Sequence, residues 1–169
     1  GLINYREKNM TIKVGDKLPN ITLSTMAEEG PKPISVEELC AGKKVVLFAV
    51  PGAFTPTCSN QHLPGFISNS ATLKEKGVDL VACISVNDPF VMAAWSKDRD
   101  AAEDVLMLAD GNAEFTSAIG LEMDVSGFGM GMRSQRYSMV IDNGVVSSLN
   151  VESGPVLDVS SAETILEAF

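Results

Sequence analysis

Two continuous apolar runs, Val45–Val50 and Leu80–Val86, constrain the fold more than any other feature of the chain. A strand with one solvated face alternates apolar and polar residues. A strand covered on both faces reads as an unbroken apolar run, as in a parallel sheet between helices. Each run is followed by turn residues and a helical pattern, Pro51-Gly52 after the first and Asn87-Asp88-Pro89 after the second. The second helix is expected through Trp95, opened by Asn87 or Asp88. A third strand is expected over 105–109 and a helix over 110–119, with Asp110-Gly111-Asn112 as turn and cap. Asn143-Gly144 predicts a tight hairpin between Tyr137–Ile141 and Val145–Val151. Ser35-Val36-Glu37-Glu38 reads as a capping box for a short helix ending at Gly42. Ser160-Ser161-Ala162-Glu163 reads as another, for a last helix whose apolar face is Ile165, Leu166 and Phe169. Together these predict an α/β layer fold with a mixed central sheet flanked by helices.

Size and charge narrow the function. A chain of 169 residues, 45% of them hydrophobic, fits one domain that buries roughly 70% of its unfolded surface without disulfide or metal staples. We place that domain at 10–169. Residues 1–9 carry neither the apolar core nor the cleavage site of a secretion signal, and they read as an extension or tag remnant before Met10. The net charge is −9 with the basic residues scattered, which argues against a nucleic-acid partner. The longest apolar stretch, 45–54, is broken by Pro51 and Gly52 and is about half the ~20 residues of a membrane-spanning helix, so no membrane association is expected. Cys40, Cys58 and Cys83 form no C-x-x-C pair and His62 is the only histidine. That argues against a disulfide framework and a four-ligand zinc site, and for a reducing compartment. We read the location as cytoplasmic, or an organellar matrix if a targeting segment has been removed. Neither a metal nor an organic cofactor is expected.

Cys58 stands where the first buried strand breaks and a helix begins, in Pro51-Gly52-Ala53-Phe54-Thr55-Pro56-Thr57-Cys58. Thr57 is the expected N-cap of a helix that runs towards Lys76, stops at Gly77, and is bent or interrupted by Pro64-Gly65. First-turn N–H groups lack internal partners and the helix dipole is positive there, so a sulfur at this point is stabilised as thiolate. Pro51 and Pro56 stiffen the turn, and the Thr55 hydroxyl can donate and accept. A peroxide needs a thiolate, donors to polarise the O–O bond, and exclusion of bulk water. Pro51, Thr55 and Cys58 can supply parts of all three.

Pro51-x-x-x-Thr55-x-x-Cys58 resembles the active-site pattern of the peroxiredoxins. The fuller text, with His62-Leu63-Pro64-Gly65-Phe66, is similar to their type II or peroxiredoxin-5 branch. The similarity continues through 85–92, Ala109-Asp110-Gly111 and Arg136-Tyr137-Ser138-Met139-Val140, and covers nearly everything from Lys13 onward. It implies a thioredoxin-like fold and a thiol peroxidase acting on hydrogen peroxide and alkyl hydroperoxides without metal or haem. By that resemblance Cys58 is the peroxidatic cysteine, which becomes a sulfenic acid. Thr55 bonds sulfur and peroxide, Pro51 covers the pocket, and Arg136 stabilises the thiolate and the peroxide oxygens. A nearby cation and a helix N-terminus can bring a cysteine from ~8.5 into roughly 3.5–7.5. Gly52, Phe54 and Phe128 are candidate pocket residues, with Phe128, Met130 and Met132 forming an apolar wall or a subunit contact. Arg133 reads as a solvated charge. His62 reads as structural, because no acidic residue is evidently placed to orient its ring.

The sulfenic acid must meet a second thiol before it oxidises further. Some relatives carry a resolving cysteine near the C-terminus, but here Val159 stands at that position. Plant type II relatives carry a cysteine where this chain has Cys83, which makes Cys83 a possible resolving residue. We read Cys83 as structural, since bridging it to Cys58 would require unwinding the first helical turn. The expected mechanism is therefore a 1-Cys cycle recycled by glutathione or glutaredoxin. The alternatives are a 2-Cys cycle through Cys83 with thioredoxin, and a redox sensor whose Cys58 oxidation alters partner binding. The family resemblance also implies a homodimer.

Overall fold

The computed structural model describes residues 11–169, so the expected extension over 1–9 lies outside the described residues. In chain order the elements are β1 (Thr22–Ala27), β2 (Gly30–Ser35), α1 (Val36–Cys40), β3 (Lys44–Ala49), a π-helical turn (Cys58–His62), α2 (Leu63–Glu75), β4 (Leu80–Ser85) and α3 (Pro89–Asp98). There follow β5 (Leu106–Ala109), α4 (Glu114–Ala118), β6 (Glu122–Asp124), a 3-10 turn (Ser126–Phe128), β7 (Met132–Ser134), β8 (Tyr137–Asp142), β9 (Val145–Val151) and α5 (Ala162–Leu166). Seven strands form one mixed sheet in the order β2-β1-β5-β4-β3-β8-β9, while β6 and β7 pair separately. β3, β4 and β5 run parallel, and the strands outside them join antiparallel. The expected α/β layer with a mixed sheet is what the chain forms. No helix of the described residues is long and apolar enough to cross a membrane.

The unbroken apolar runs are the two central strands. Alternate residues of β3 feed different cores: Val45, Leu47 and Ala49 pack with Leu39, Phe115 and Tyr137, whereas Val46, Phe48 and the following Val50 pack with Leu63, Phe66 and Trp95. A side chain such as Phe66 or Leu63, wholly shut from water, stabilises the fold by about 1.5–3 kcal/mol on transfer grounds. The second core holds Cys58 and Cys83 and is roofed by α2, α3 and α5. The candidate site therefore sits at the C-terminal end of β3, under helices rather than at a sheet edge.

Several local expectations shift by a residue. Ser35 caps α1 and Asp88, not Asn87, caps α3. The last helix is capped by Ser161, whose hydroxyl accepts from the Thr164 N–H, and not by Ser160. Asp110 works from a distance, its carboxylate accepting from the Phe115 and Thr116 N–H groups and the Thr116 hydroxyl. Asn143 and Gly144 both take positive φ (48° and 82°), as a two-residue hairpin of this hand requires.

Candidate active site

The turn after β3 is stiff for reasons that lie in named side chains. The Asn87 side-chain oxygen Oδ1 accepts from the Ala53 N–H at 3.0 Å and from the Ser85 hydroxyl at 2.6 Å, which ties the turn to the end of β4. The next residue, Phe54, is held at φ 66°, a conformation costly for a bulky residue and common where surrounding structure fixes a functional turn. Gly52 is required by close approach: a Cβ there would lie 3.0 Å from Arg133 Nη1, 3.2 Å from Thr55 Cγ2 and 3.3 Å from Met130 Cε. The Thr55 hydroxyl donates to the Gly52 carbonyl at 2.7 Å and so, in this state, not to sulfur.

The helix begins at Pro56, earlier than expected. Proline suits the first helical position, where its missing N–H has no acceptor in any case. Thr57 is already helical and caps nothing, which corrects the expected N-cap. Cys58 thus stands in the first turn, where N–H groups have no intrahelical acceptors. Over Cys58–His62 the helix widens to π geometry, with the Leu63 N–H bonding the Cys58 carbonyl. Pro64, which cannot donate in α register, follows at once and α2 continues through Pro64-Gly65 without interruption. Trp95 Nε1 donates to Ser59 Oγ at 3.0 Å and pins this turn from α3.

Arg136, one residue before β8, points inward and is buried. Its Nη2 donates to Cys58 Sγ at 3.0 Å and its Nη1 to His62 Nδ1 at 2.9 Å. Among the described residues the ion pairs are Lys13–Asp16 and Arg99–Asp98, so Arg136 is not the surface salt bridge of an acidic protein. A buried cation with no counter-ion costs several kcal/mol. Among the described residues, the one group bonded to this guanidinium that can carry negative charge is the sulfur.

His62 donates from Nε2 to the Ser160 carbonyl at 2.9 Å. Burial first, and then the Arg136 charge, push its pKa down to about 3, so the ring is neutral. Ser160 is itself held by Glu152, whose carboxylate accepts from the N–H groups of Asp158, Val159 and Ser160 and from the Ser160 hydroxyl. Burial alone would raise the Glu152 pKa, but these four bonds outweigh it and hold the carboxyl below its ordinary value.

A cleft of about 640 Å³ lies on the other side of Arg136 and Thr55 from the buried sulfur, lined by Pro51, Thr55, Arg136, Phe128, Met130 and Glu152 among others. Pro51, Thr55, Cys58 and Arg136 are thus brought together, and Phe128 and Met130 form part of the apolar wall. Gly52 is buried within the turn and outside the cleft lining, which corrects its placement as a pocket residue. Phe54 is half exposed and outside the cleft lining, which corrects its placement as a pocket residue. Arg133 is not a free solvated charge: its Nε donates to the Met130 carbonyl at 2.9 Å and its Nη1 reaches the Pro51 carbonyl at 3.4 Å. Cys83 is fully buried in β4 opposite Phe48 and Met107. Burial pushes its thiol well above the ordinary value, and nearby Cys58 adds to this. Cys40, the last residue of α1, is buried, its thiol raised by burial to about 11. The sequence marks Ser160 only as a helix cap and gives no sign of Glu152, since nothing near either one points to Cys58.

A buried sulfur at a helix start, bonded to a guanidinium that lines an open cleft, defines a thiol-redox site on a mixed α/β sheet. The Redoxin family pattern matches residues 13–166. The chain is 52% identical over 162 residues to peroxiredoxin-2E, chloroplastic, of Arabidopsis thaliana, covering 94% of this chain and 69% of that protein. It is 51% identical over 158 residues to peroxiredoxin-2C of the same plant, covering 93% and 98%. The crystal structure of reduced Prx3 in complex with H2O2 from Vibrio vulnificus superposes with a TM-score of 0.90 at 62% identity, covering 94% and 99%. The chain belongs to the Redoxin family. Within it, the chain is a peroxiredoxin of thioredoxin-like fold, a thiol-dependent peroxidase that acts on a hydroperoxide and is recycled by a thiol reductant.

Proposed function

We propose that Cys58 is the peroxidatic cysteine of a 1-Cys cycle on hydrogen peroxide and alkyl hydroperoxides, recycled by glutathione or a glutaredoxin. One observation carries this reading: the buried Arg136 guanidinium donates to the Cys58 sulfur and, among the described residues, pairs with no carboxylate. The Cys58 thiolate attacks the terminal peroxide oxygen. A sulfur–oxygen bond forms as the O–O bond breaks, and the departing alkoxide or hydroxide leaves as alcohol or water after taking a proton from solvent. Arg136 faces both the sulfur and the cleft and is placed to stabilise the charge moving between them. Thr55 turns its hydroxyl to the bound peroxide, and Pro51 shields the sulfur from bulk water.

The Cys58 sulfenic acid then condenses with glutathione, releasing water, and a second thiol frees the Cys58 thiolate and carries off the disulfide. Cys83 is left out of this cycle because it is mid-strand, fully buried and held as a neutral thiol. Large apolar side chains left in solvent, Phe90 and Phe128 among them, support the homodimer. A compartment that keeps thiols reduced, such as the cytoplasm, suits the cycle. To test the reading, peroxide consumption is followed for wild type, Cys58→Ser and Cys83→Ser, with glutathione plus glutaredoxin and then with thioredoxin. The expected result is loss of turnover in Cys58→Ser alone and preference for the glutathione system. Loss in Cys83→Ser would make Cys83 the resolving residue.

A further inference from the structure

We propose that His62 is a positioning residue for the peroxidase reaction: its neutral ring, anchored through Ser160 to Glu152, holds the Arg136 guanidinium against the Cys58 sulfur. The proposal rests on the reading of Cys58 and Arg136 given above. A carbonyl oxygen only accepts and a guanidinium only donates. His62 lies between one of each, so a single arrangement satisfies both: the proton on Nε2, bonded to the Ser160 carbonyl, and a lone pair on Nδ1, accepting from Arg136 Nη1. An imidazolium would set an N–H against the guanidinium. The surroundings oppose that form as well, since the ring is buried against the stacked rings of Phe48 and Phe66, with centroids 4.9 and 5.5 Å away.

Arg136 needs such support. Among the described residues its Nε has no hydrogen-bond partner and no carboxylate pairs with it, so the bond to His62 is the one that fixes its rotation about the sulfur. The Ser160 carbonyl is in turn not free to drift. Glu152 grips the Ser160 N–H at 2.8 Å and its hydroxyl at 2.6 Å, while the Glu152 N–H donates to the Arg136 carbonyl at 2.9 Å. The chain of contacts therefore closes on the residue it orients. The π-helical turn makes this possible by carrying Cys58 and His62 to the same guanidinium.

The test is stopped-flow oxidation of reduced protein by hydrogen peroxide, with folding checked by circular dichroism. Asparagine at position 62 can present an oxygen near Nδ1 and keep the acceptor for Arg136. Glutamine can present an N–H near Nε2 and keep only the donor to Ser160. His62→Leu is expected to slow Cys58 oxidation by about 10- to 100-fold, the size of a misplaced catalytic group. His62→Asn should retain more of the rate than His62→Gln. In an Arg136→Met background none of the three should cause much further loss, because a residue that acts through another is not additive with it. A wild-type rate in a folded His62→Leu protein, equal losses in the Asn and Gln variants, or full additivity with Arg136→Met would overturn the proposal. Should His62→Leu fail to fold, the Asn and Gln pair decides. Should wild type and Cys58→Ser consume peroxide alike, the underlying reading of Cys58 fails instead.

Discussion

Cys58 and Cys83 share one apolar cluster and neither exposes any surface. Cys83 sits mid-strand with its neighbours paired on both sides, and burial chiefly, with Cys58 adding to it, keeps it a neutral thiol. Cys58 sits in the first turn of a helix with a guanidinium N–H 3.0 Å from its sulfur, and that same Arg136 lines an open cleft. Burial therefore does not separate an inert cysteine from a reactive one. The polar partner and the position in the helix do.

The largest effect that would break this contrast is at the sulfurs themselves. Cys58→Ser should abolish peroxide turnover, whereas Cys83→Ala should stay near wild type with glutathione and glutaredoxin. Next comes the cation: Arg136→Met should slow Cys58 oxidation by about 10²–10³-fold, the usual loss when a donor at the reacting centre is removed. Stopped-flow kinetics checks both.

Acid stability sharpens the contrast further, because the Cys58 side of the cluster carries a buried neutral histidine. The His62 pKa is lowered to about 3 in the fold, against about 6.5 when unfolded. Between those values the unfolded chain binds a proton that the native one does not, so stability is full above pH 6.5 and falls as pH drops. The loss should reach about 2 kcal/mol by pH 5. Urea unfolding at pH 7.5 and 5.0 should show this fall in wild type and a shallower one in His62→Asn. The smallest effect is a control remote from both cysteines: Ser35→Ala removes the cap of α1 and should cost about 1 kcal/mol, with no change in peroxide rate.

Much of this architecture is legible in the chain because the central strands are buried on both faces and so leave unbroken apolar runs. The β1–β2 hairpin is not. β2 carries Pro31 and Pro33 and lies at the sheet edge, where proline is tolerated but reads as a strand breaker. The helix at Cys58 starts ahead of its expected cap because Pro56 takes the first position itself. Two adjacent serines, 160 and 161, both satisfy a capping pattern, and only the Glu152 carboxylate, which claims Ser160, decides between them. Pro51, Thr55, Cys58 and Arg136 could be read from their motif. The link from Arg136 through His62 to Ser160 could not, since its partners are 74 and 98 residues apart and no local spacing marks them. Arg133 escaped for the same reason, its contact with Pro51 spanning 82 residues.

The central claim is that, of three buried cysteines, only the one facing Arg136 reacts. Peptide mass spectrometry of the reduced protein, after one equivalent of hydrogen peroxide and then glutathione, tests this most directly. The account predicts a single glutathione mixed disulfide, on Cys58, with Cys40 and Cys83 unmodified. An adduct on either of those two, or a Cys58–Cys83 disulfide that forms before glutathione is added, would contradict it.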